Sequence, residues 1–76
     1  MIPKRKTHAL LTALDAERDA HLLTWEQVAD GVGVALRTVM NAMAWHRGEG
    51  KHRPGRATLR AIVKWLRRRG VEVAGG

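Results

Sequence analysis

The chain contains no cysteine, serine, phenylalanine or tyrosine among its 76 residues. The absence of cysteine excludes disulfides and thiolate metal sites and fits a reducing compartment, so we expect a cytoplasmic protein. Because serine is missing and no nucleophile–base pair is evident, we expect no enzymatic activity. The four histidines are scattered without the spacing of zinc ligands, so no metal and no cofactor is expected.

Long apolar runs are missing as well. No segment approaches the roughly 20 apolar residues of a membrane span, and the N-terminus has no apolar signal core, so we expect no membrane partner. A chain of 76 residues suits one small domain without a separate ligand-binding unit, so no small-molecule ligand is expected. We divide it into a basic arm over residues 1–6, a domain over 7–70 and a tail over 71–76.

Acidic residues are few, and they are concentrated in one part of the sequence. The chain has 14 Lys and Arg against 7 Asp and Glu, a net charge of +7. Residues 7–34 hold five acidic residues and one basic residue, whereas residues 35–69 hold ten basic residues and one acidic residue. A solvated surface tends to mix the two signs, so this segregation favours a polyanionic partner for the second half of the chain.

Residues 24–44 predict two short helices joined by a tight turn. Thr24 and Gln27 have the spacing of a capping box, which begins a helix, and Gly33 can adopt the left-handed backbone that ends it. A second helix is predicted from Ala35 to about His46, with an inner face formed by Val39, Ala42 and Met43. Its outward stripe is formed by Arg37, Met40, Asn41 and Ala44. Two helices joined in this way form a helix-turn-helix, whose second helix enters the major groove of DNA.

The run Gln27-Val-Ala-Asp-Gly-Val-Gly-Val34, followed by Thr38-Val39, resembles the helix-turn-helix of the phage repressor and Cro-type family, also called XRE-like. The likeness is carried by Ala29, Gly33, Val34 and Val39. The chain departs from the family pattern at Leu36, often Gln in phage repressors, and at Ala42, usually a larger aliphatic residue. The resemblance implies an all-α domain of about four helices and a small, nucleoid-associated Cro-like repressor of phage or mobile-element origin. It would bind specific double-stranded DNA, as a homodimer at least on the DNA.

The outward stripe of the second helix offers contacts to DNA bases. Arg37 and Asn41 each present two groups that match the major-groove edges of guanine and adenine, respectively. The neighbouring small or apolar residues could contact a thymine methyl group or allow the helix to approach the bases closely. These residues are Ala35, Leu36 and Met40. Trp25 could donate its indole N–H to a phosphate or pack as a hydrophobic staple. The full set of predicted phosphate contacts is Lys4, Arg5, Lys6, Trp25, Arg47, Lys51, His52, Arg53 and Arg56.

Two further helices complete the predicted domain. The first runs from its cap at Thr7 to about Leu22, with a core stripe that includes Leu10, Leu11, Leu14 and Leu22. After a loop over residues 45–55, the fourth runs from Arg56 to Arg69, with a core stripe formed by Leu59, Ile62, Val63 and Leu66. Trp65 is predicted either in the core or as an exposed anchor for a second subunit. The alternation at residues 71–73 predicts a short strand that needs a partner, such as its own copy in a dimer.

Four other functions are compatible with the sequence. An antitoxin or an excision factor would use the same scaffold. A protein-interaction module would instead expose an apolar patch for a host protein, formed by Met40, Trp45 and Trp65, and its basic surface would be incidental. An RNA-binding protein is a weaker alternative, because the chain has no phenylalanine or tyrosine on which bases could stack.

Overall fold

A computed structural model describes residues 3–72 of the chain as four α-helices. The helices are α1 (Lys4–Ala20), α2 (Trp25–Val32), α3 (Leu36–His46) and α4 (Arg56–Arg68). Residues 3–72 contain no strand, so the predicted all-α class with about four helices is confirmed. Both α1 and α2 pack against α3 and against α4, whereas α3 and α4 make little contact with each other. Among the described residues, no helix is both long and apolar enough to cross a membrane.

All four helices contribute to one apolar core. The inner face predicted for α3 is confirmed, because Val39, Ala42 and Met43 are all buried. The stripe of α4 is confirmed at Leu59, Ile62 and Leu66, while Val63 is half-buried. The complete set of buried apolar residues is Leu10, Leu11, Leu14, Val28, Ala29, Val32, Val39, Ala42, Met43, Leu59, Ile62, Trp65 and Leu66.

The start of α2 is set by the capping box that the sequence predicts. The Thr24 hydroxyl accepts a hydrogen bond from the Gln27 N–H at 3.1 Å, and the Gln27 side-chain oxygen accepts one from the Thr24 N–H at 2.9 Å. These two bonds satisfy backbone donors that a helix leaves unpaired at its N-terminus. Three residues, 33–35, then separate α2 from α3, and the two helices pack against each other.

All four helices end in the same left-handed cap. The residue in the left-handed region is Gly33 (φ +89°), Gly48 (+82°), Gly70 (+81°) or, after α1, Leu22 (+53°). In each case the residue that follows the left-handed one donates its backbone N–H to the carbonyl oxygen five residues before it. After α1, for example, the Leu23 N–H donates to the Arg18 carbonyl at 2.9 Å. This hydrogen bond belongs to the Schellman motif, in which glycine is favoured because it lacks a Cβ. The end of α2 agrees with the predicted role of Gly33.

Leu22 departs from the predicted core stripe of α1, and its side chain is 86% exposed. The left-handed backbone at Leu22 ends the helix and turns the side chain away from the core.

Replacing Leu22 with glycine should raise the free energy of unfolding by about 0.5–1 kcal/mol, because the relief of backbone strain exceeds the added freedom of the unfolded chain. Chemical denaturation would measure this change. Leu22→Ala keeps the strain and should show no such gain; equal gains in both variants would contradict the explanation.

The N-terminal boundary differs from the prediction. α1 begins at Lys4, so an extended arm reaching Lys6 and a cap at Thr7 are both wrong, while residues 1 and 2 lie outside the described part. Pro3 precedes the helix, where a missing N–H costs nothing because the first helical N–H groups have no partner within the helix. Thr7 is buried within α1, and its N–H bonds to the Pro3 carbonyl at 3.0 Å.

The C-terminal part of the domain also corrects two expectations. Trp65 is only 6% exposed, so it belongs to the core and cannot be an exposed anchor for a second subunit. Val71 and Glu72 form no strand; Val71 packs against the core after the α4 cap, and Val73 lies outside the described residues. Of the two surfaces that the sequence offered for dimer contact, the exposed Trp65 is therefore absent from the described chain.

Candidate nucleic-acid interface

The outward face of α3 carries the residues predicted to contact bases. Arg37 and Asn41 are exposed, one helical turn apart, and make no ion pair or side-chain hydrogen bond with another described residue. Met40 is half-buried, Leu36 is 39% exposed and Ala35 is the exposed N-cap of α3. No acidic residue occurs within α3. The three buried residues of the inner face hold this outward stripe in a fixed orientation.

The loop after α3, residues 47–55, carries four of the nine predicted phosphate contacts. Lys51 and His52 are exposed, and Arg56 is exposed at the first residue of α4. Arg47 pairs with Glu49 across 3.2 Å, but both side chains are about half exposed or more, so the pair is weak and screened by salt. Trp45 and His46 belong to the last turn of α3, which agrees with the predicted end of that helix near His46 and not with a loop that begins at residue 45.

Arg53 has a structural contact that the sequence does not reveal. Its guanidinium donates a hydrogen bond to the Thr7 hydroxyl at 2.9 Å, and that hydroxyl lies 3.2 Å from the Pro3 carbonyl, to which it donates. This link fastens the loop to the first turns of α1. It also brings the loop to the same end of α1 as the exposed cations of the first turn, which are Lys4, Arg5 and Lys6.

Trp25 lies apart from this basic cluster. It is half-buried at the first residue of α2 and packs against the core, with the Arg18 guanidinium 4.7 Å from the centre of its ring. Arg18 is in the last turn of α1, at the far end from Lys4. The structure therefore gives Trp25 a packing role beneath a cation, and does not bring it together with the cations around the loop.

A pair of histidines joins α1 to α3, and sequence reasoning missed it. The Nδ1 atoms of His8 and His46 are 2.8 Å apart, so one neutral ring donates and the other accepts. The His8 ring stacks on Trp45 with centroids 4.4 Å apart, and His46 Nε2 lies 3.4 Å from the Thr12 hydroxyl. No local pattern reveals a pair separated by 38 positions, because it forms only where α1 crosses α3.

Burial lowers the pKa of His46 below the ordinary value of 6.5. The nearby His8 and Arg47 lower this pKa further, whereas Asp15 raises it. The folded chain therefore holds fewer protons on His46 than the unfolded chain does in acid. The corresponding stability is present above about pH 6.5 and is lost as the pH falls through the pKa of the folded state.

We expect the free energy of unfolding to fall as the pH drops below about 6.5, and His46→Gln to reduce that fall. The reason is that protonation of His46 places a positive charge in a partly desolvated position close to His8 and Arg47. Urea denaturation between neutral and mildly acidic pH would measure it. His52→Gln, which alters an exposed histidine of the loop, should leave the pH dependence unchanged. If His46→Gln has the same slope as the native chain, other groups cause the acid sensitivity.

The apolar patch that the sequence offered for a protein-interaction module, formed by Met40, Trp45 and Trp65, is not exposed as a whole. Trp65 is in the core, Trp45 is half-buried beneath His8, and Met40 is half-buried on α3. Apart from Trp25, the predicted site residues occupy two places: the exposed face of α3, and the basic region where the loop meets α1. No protein-family model, curated protein or solved structure matches this chain.

Proposed function

We propose that the protein binds specific double-stranded DNA as a small Cro-like repressor, with α2 and α3 as its helix-turn-helix. One observation carries the proposal: α3 exposes Arg37 and Asn41 one turn apart while its opposite face is anchored in the core. The two side chains make no ion pair with a described residue and so are available for a ligand. The three-residue turn with left-handed Gly33 supports the same motif.

The chemistry of the α3 face suits base readout. An arginine can donate two hydrogen bonds to the O6 and N7 atoms of guanine, and an asparagine can pair with the N6 and N7 atoms of adenine. The half-buried Met40 and the exposed Leu36 add apolar surface beside them, which suits a thymine methyl. An α-helix fits the width of the major groove, so these side chains reach base edges when α3 lies in it.

The loop and the start of α1 support the proposal through charge. Lys51, His52 and Arg56 are exposed beyond the end of α3, and the cations of the first α1 turn lie near the loop. Contacts of this kind position a protein on the phosphate backbone without selecting sequence. Association with DNA would also place the protein on the nucleoid.

We further propose two copies per DNA site. One recognition helix contacts few base pairs, which gives little discrimination among the many competing sites of a genome. Two copies that read half-sites about one helical turn apart provide the missing specificity. Blocking of transcription follows where such a site overlaps a promoter.

Selection of bound sequences from a random duplex pool tests this function. The expected result is an enriched palindrome with half-sites about 10 base pairs apart, containing guanine and adenine at positions that Arg37 and Asn41 reach. Sedimentation on the selected duplex should then give two chains per site. Absence of any enriched sequence would contradict specific binding, and a single chain per site would contradict the dimer alone.

A further inference from the structure

The exposed face of α4 carries cations at every fourth position. Arg60, Lys64 and Arg68 are all exposed, and we call these three residues the α4 stripe. Positions four apart lie on one side of a helix and are separated by about 6 Å along its axis. No ion pair joins the stripe to another described residue, although Arg68 donates a hydrogen bond to the Gly31 carbonyl at 3.3 Å.

Such an array is unfavourable for the isolated domain. Like charges four positions apart repel one another and destabilise a helix, and α4 has no acidic residue to offset them. The repulsion would be removed by a partner that supplies negative charge along the same line. This makes charge complementarity the first requirement for whatever binds there.

The α4 stripe faces away from the proposed DNA-reading surface. α4 packs against α1 and α2 and makes little contact with α3, so α1 and α2 lie between the two helices. The outward faces of α3 and α4 therefore point in different directions. A straight duplex seated on Arg37 and Asn41 does not account for the α4 stripe, which is left available for another ligand.

An open groove runs beside the stripe between α4 and the end of α2. Its volume is about 430 Å³, and its floor is apolar, formed by Val32, Ala57 and Ala61. Arg60, Lys64 and Arg68 complete the lining of the groove. A phosphate backbone would use only the cations, whereas an apolar floor flanked by cations suits a segment with both carboxylates and aliphatic side chains. The small alanine side chains allow such a segment to approach the α4 backbone closely.

We propose that the groove binds an acidic amphipathic helix of a partner protein, whose carboxylates at every fourth position face the α4 stripe. Its neighbouring aliphatic side chains cover Val32, Ala57 and Ala61. A second copy of this chain does not fit through a symmetric α4–α4 contact, because that arrangement would bring two identical cationic stripes together.

A synthetic helical peptide of about four turns, with glutamate at every fourth position and an adjoining leucine stripe, is the probe. At low salt it should bind the full chain and shift the methyl resonances of Val32, Ala57 and Ala61. The double variant Arg60→Gln/Lys64→Gln should weaken binding by about tenfold or more. Arg47→Gln/Lys51→Gln removes the same charge from the loop and should change peptide affinity far less.

A second peptide with serine in place of leucine separates docking from simple charge attraction. It should bind clearly more weakly; equal binding of the two peptides, or no binding of either, would overturn the proposal. A second measurement compares how strongly the affinity for duplex DNA depends on salt in the native chain and in the Arg60→Gln/Lys64→Gln variant. If Arg60→Gln/Lys64→Gln reduces that dependence, the α4 stripe contacts nucleic acid instead. Peptide binding is measured without DNA, so failure of the proposed DNA binding would not affect it.

Discussion

Replacing Arg37 with alanine should weaken binding to the selected operator by about 1–3 kcal/mol and relax the preference at one base pair. The side chain is exposed and has no ion pair with a described residue, so its removal should leave the fold intact. Binding to random duplex should change much less, since only one charge is lost there. The ratio of operator to random affinity, measured at several salt concentrations, gives the effect directly.

Lys51→Ala is the matched control for this measurement. Lys51 is exposed in the loop and carries the same charge, but we propose that it contacts phosphate. Its loss should weaken operator and random duplex alike and reduce the slope of log affinity against log salt by about 0.9. Arg53 is unsuitable because its bond to Thr7 ties the loop to α1. If Lys51→Ala changed the ratio and Arg37→Ala did not, the base-reading surface would lie in the loop and not on α3.

Gly31→Ala should lower the free energy of unfolding by about 1–3 kcal/mol. An alanine inside a helix is ordinarily more favourable than a glycine by about 0.5–1 kcal/mol, so the expected sign is reversed here. The cause is Trp65, whose indole Nε1 and Cδ1 occupy the space that a Cβ at Gly31 would need. The indole is 6% exposed and has the Arg69 guanidinium 4.8 Å from its ring centre, so it has little freedom to move aside.

A double-mutant cycle tests that cause. Trp65→Leu costs stability by itself, but it removes the ring from Gly31. In the Trp65→Leu variant, Gly31→Ala should leave the free energy of unfolding unchanged or raise it. The difference from its effect in the native chain is the coupling energy between the two positions. Thermal or urea unfolding of the four proteins measures the cycle. A stabilising Gly31→Ala in the native background would show that the indole yields easily and that this packing is not tight.

The helices themselves were predictable because their signals are local. The Thr24–Gln27 capping box and the left-handed glycines 33 and 70 act within about five residues, and the apolar stripes repeat with the helical period. Exposure of Arg37 and Asn41 followed from the same period, because the inner face of α3 was recognised correctly. The first turn of α1 was assigned to the basic arm because a proline such as Pro3 occurs both before helices and in extended chain, so it does not specify where the helix begins.

The tertiary structure alone decided how the helices meet. Trp65 could have faced the core or solvent, and its place against Gly31 depends on how α4 lies on α2. The contact between His8 and His46 and the bond from Arg53 to Thr7 likewise join residues 38 and 46 positions apart. Hydrophobic period specifies which side of a helix is buried, but it does not specify the neighbour against which that side is buried. That choice depends on side-chain shapes from all four helices together, so it is made only when they pack.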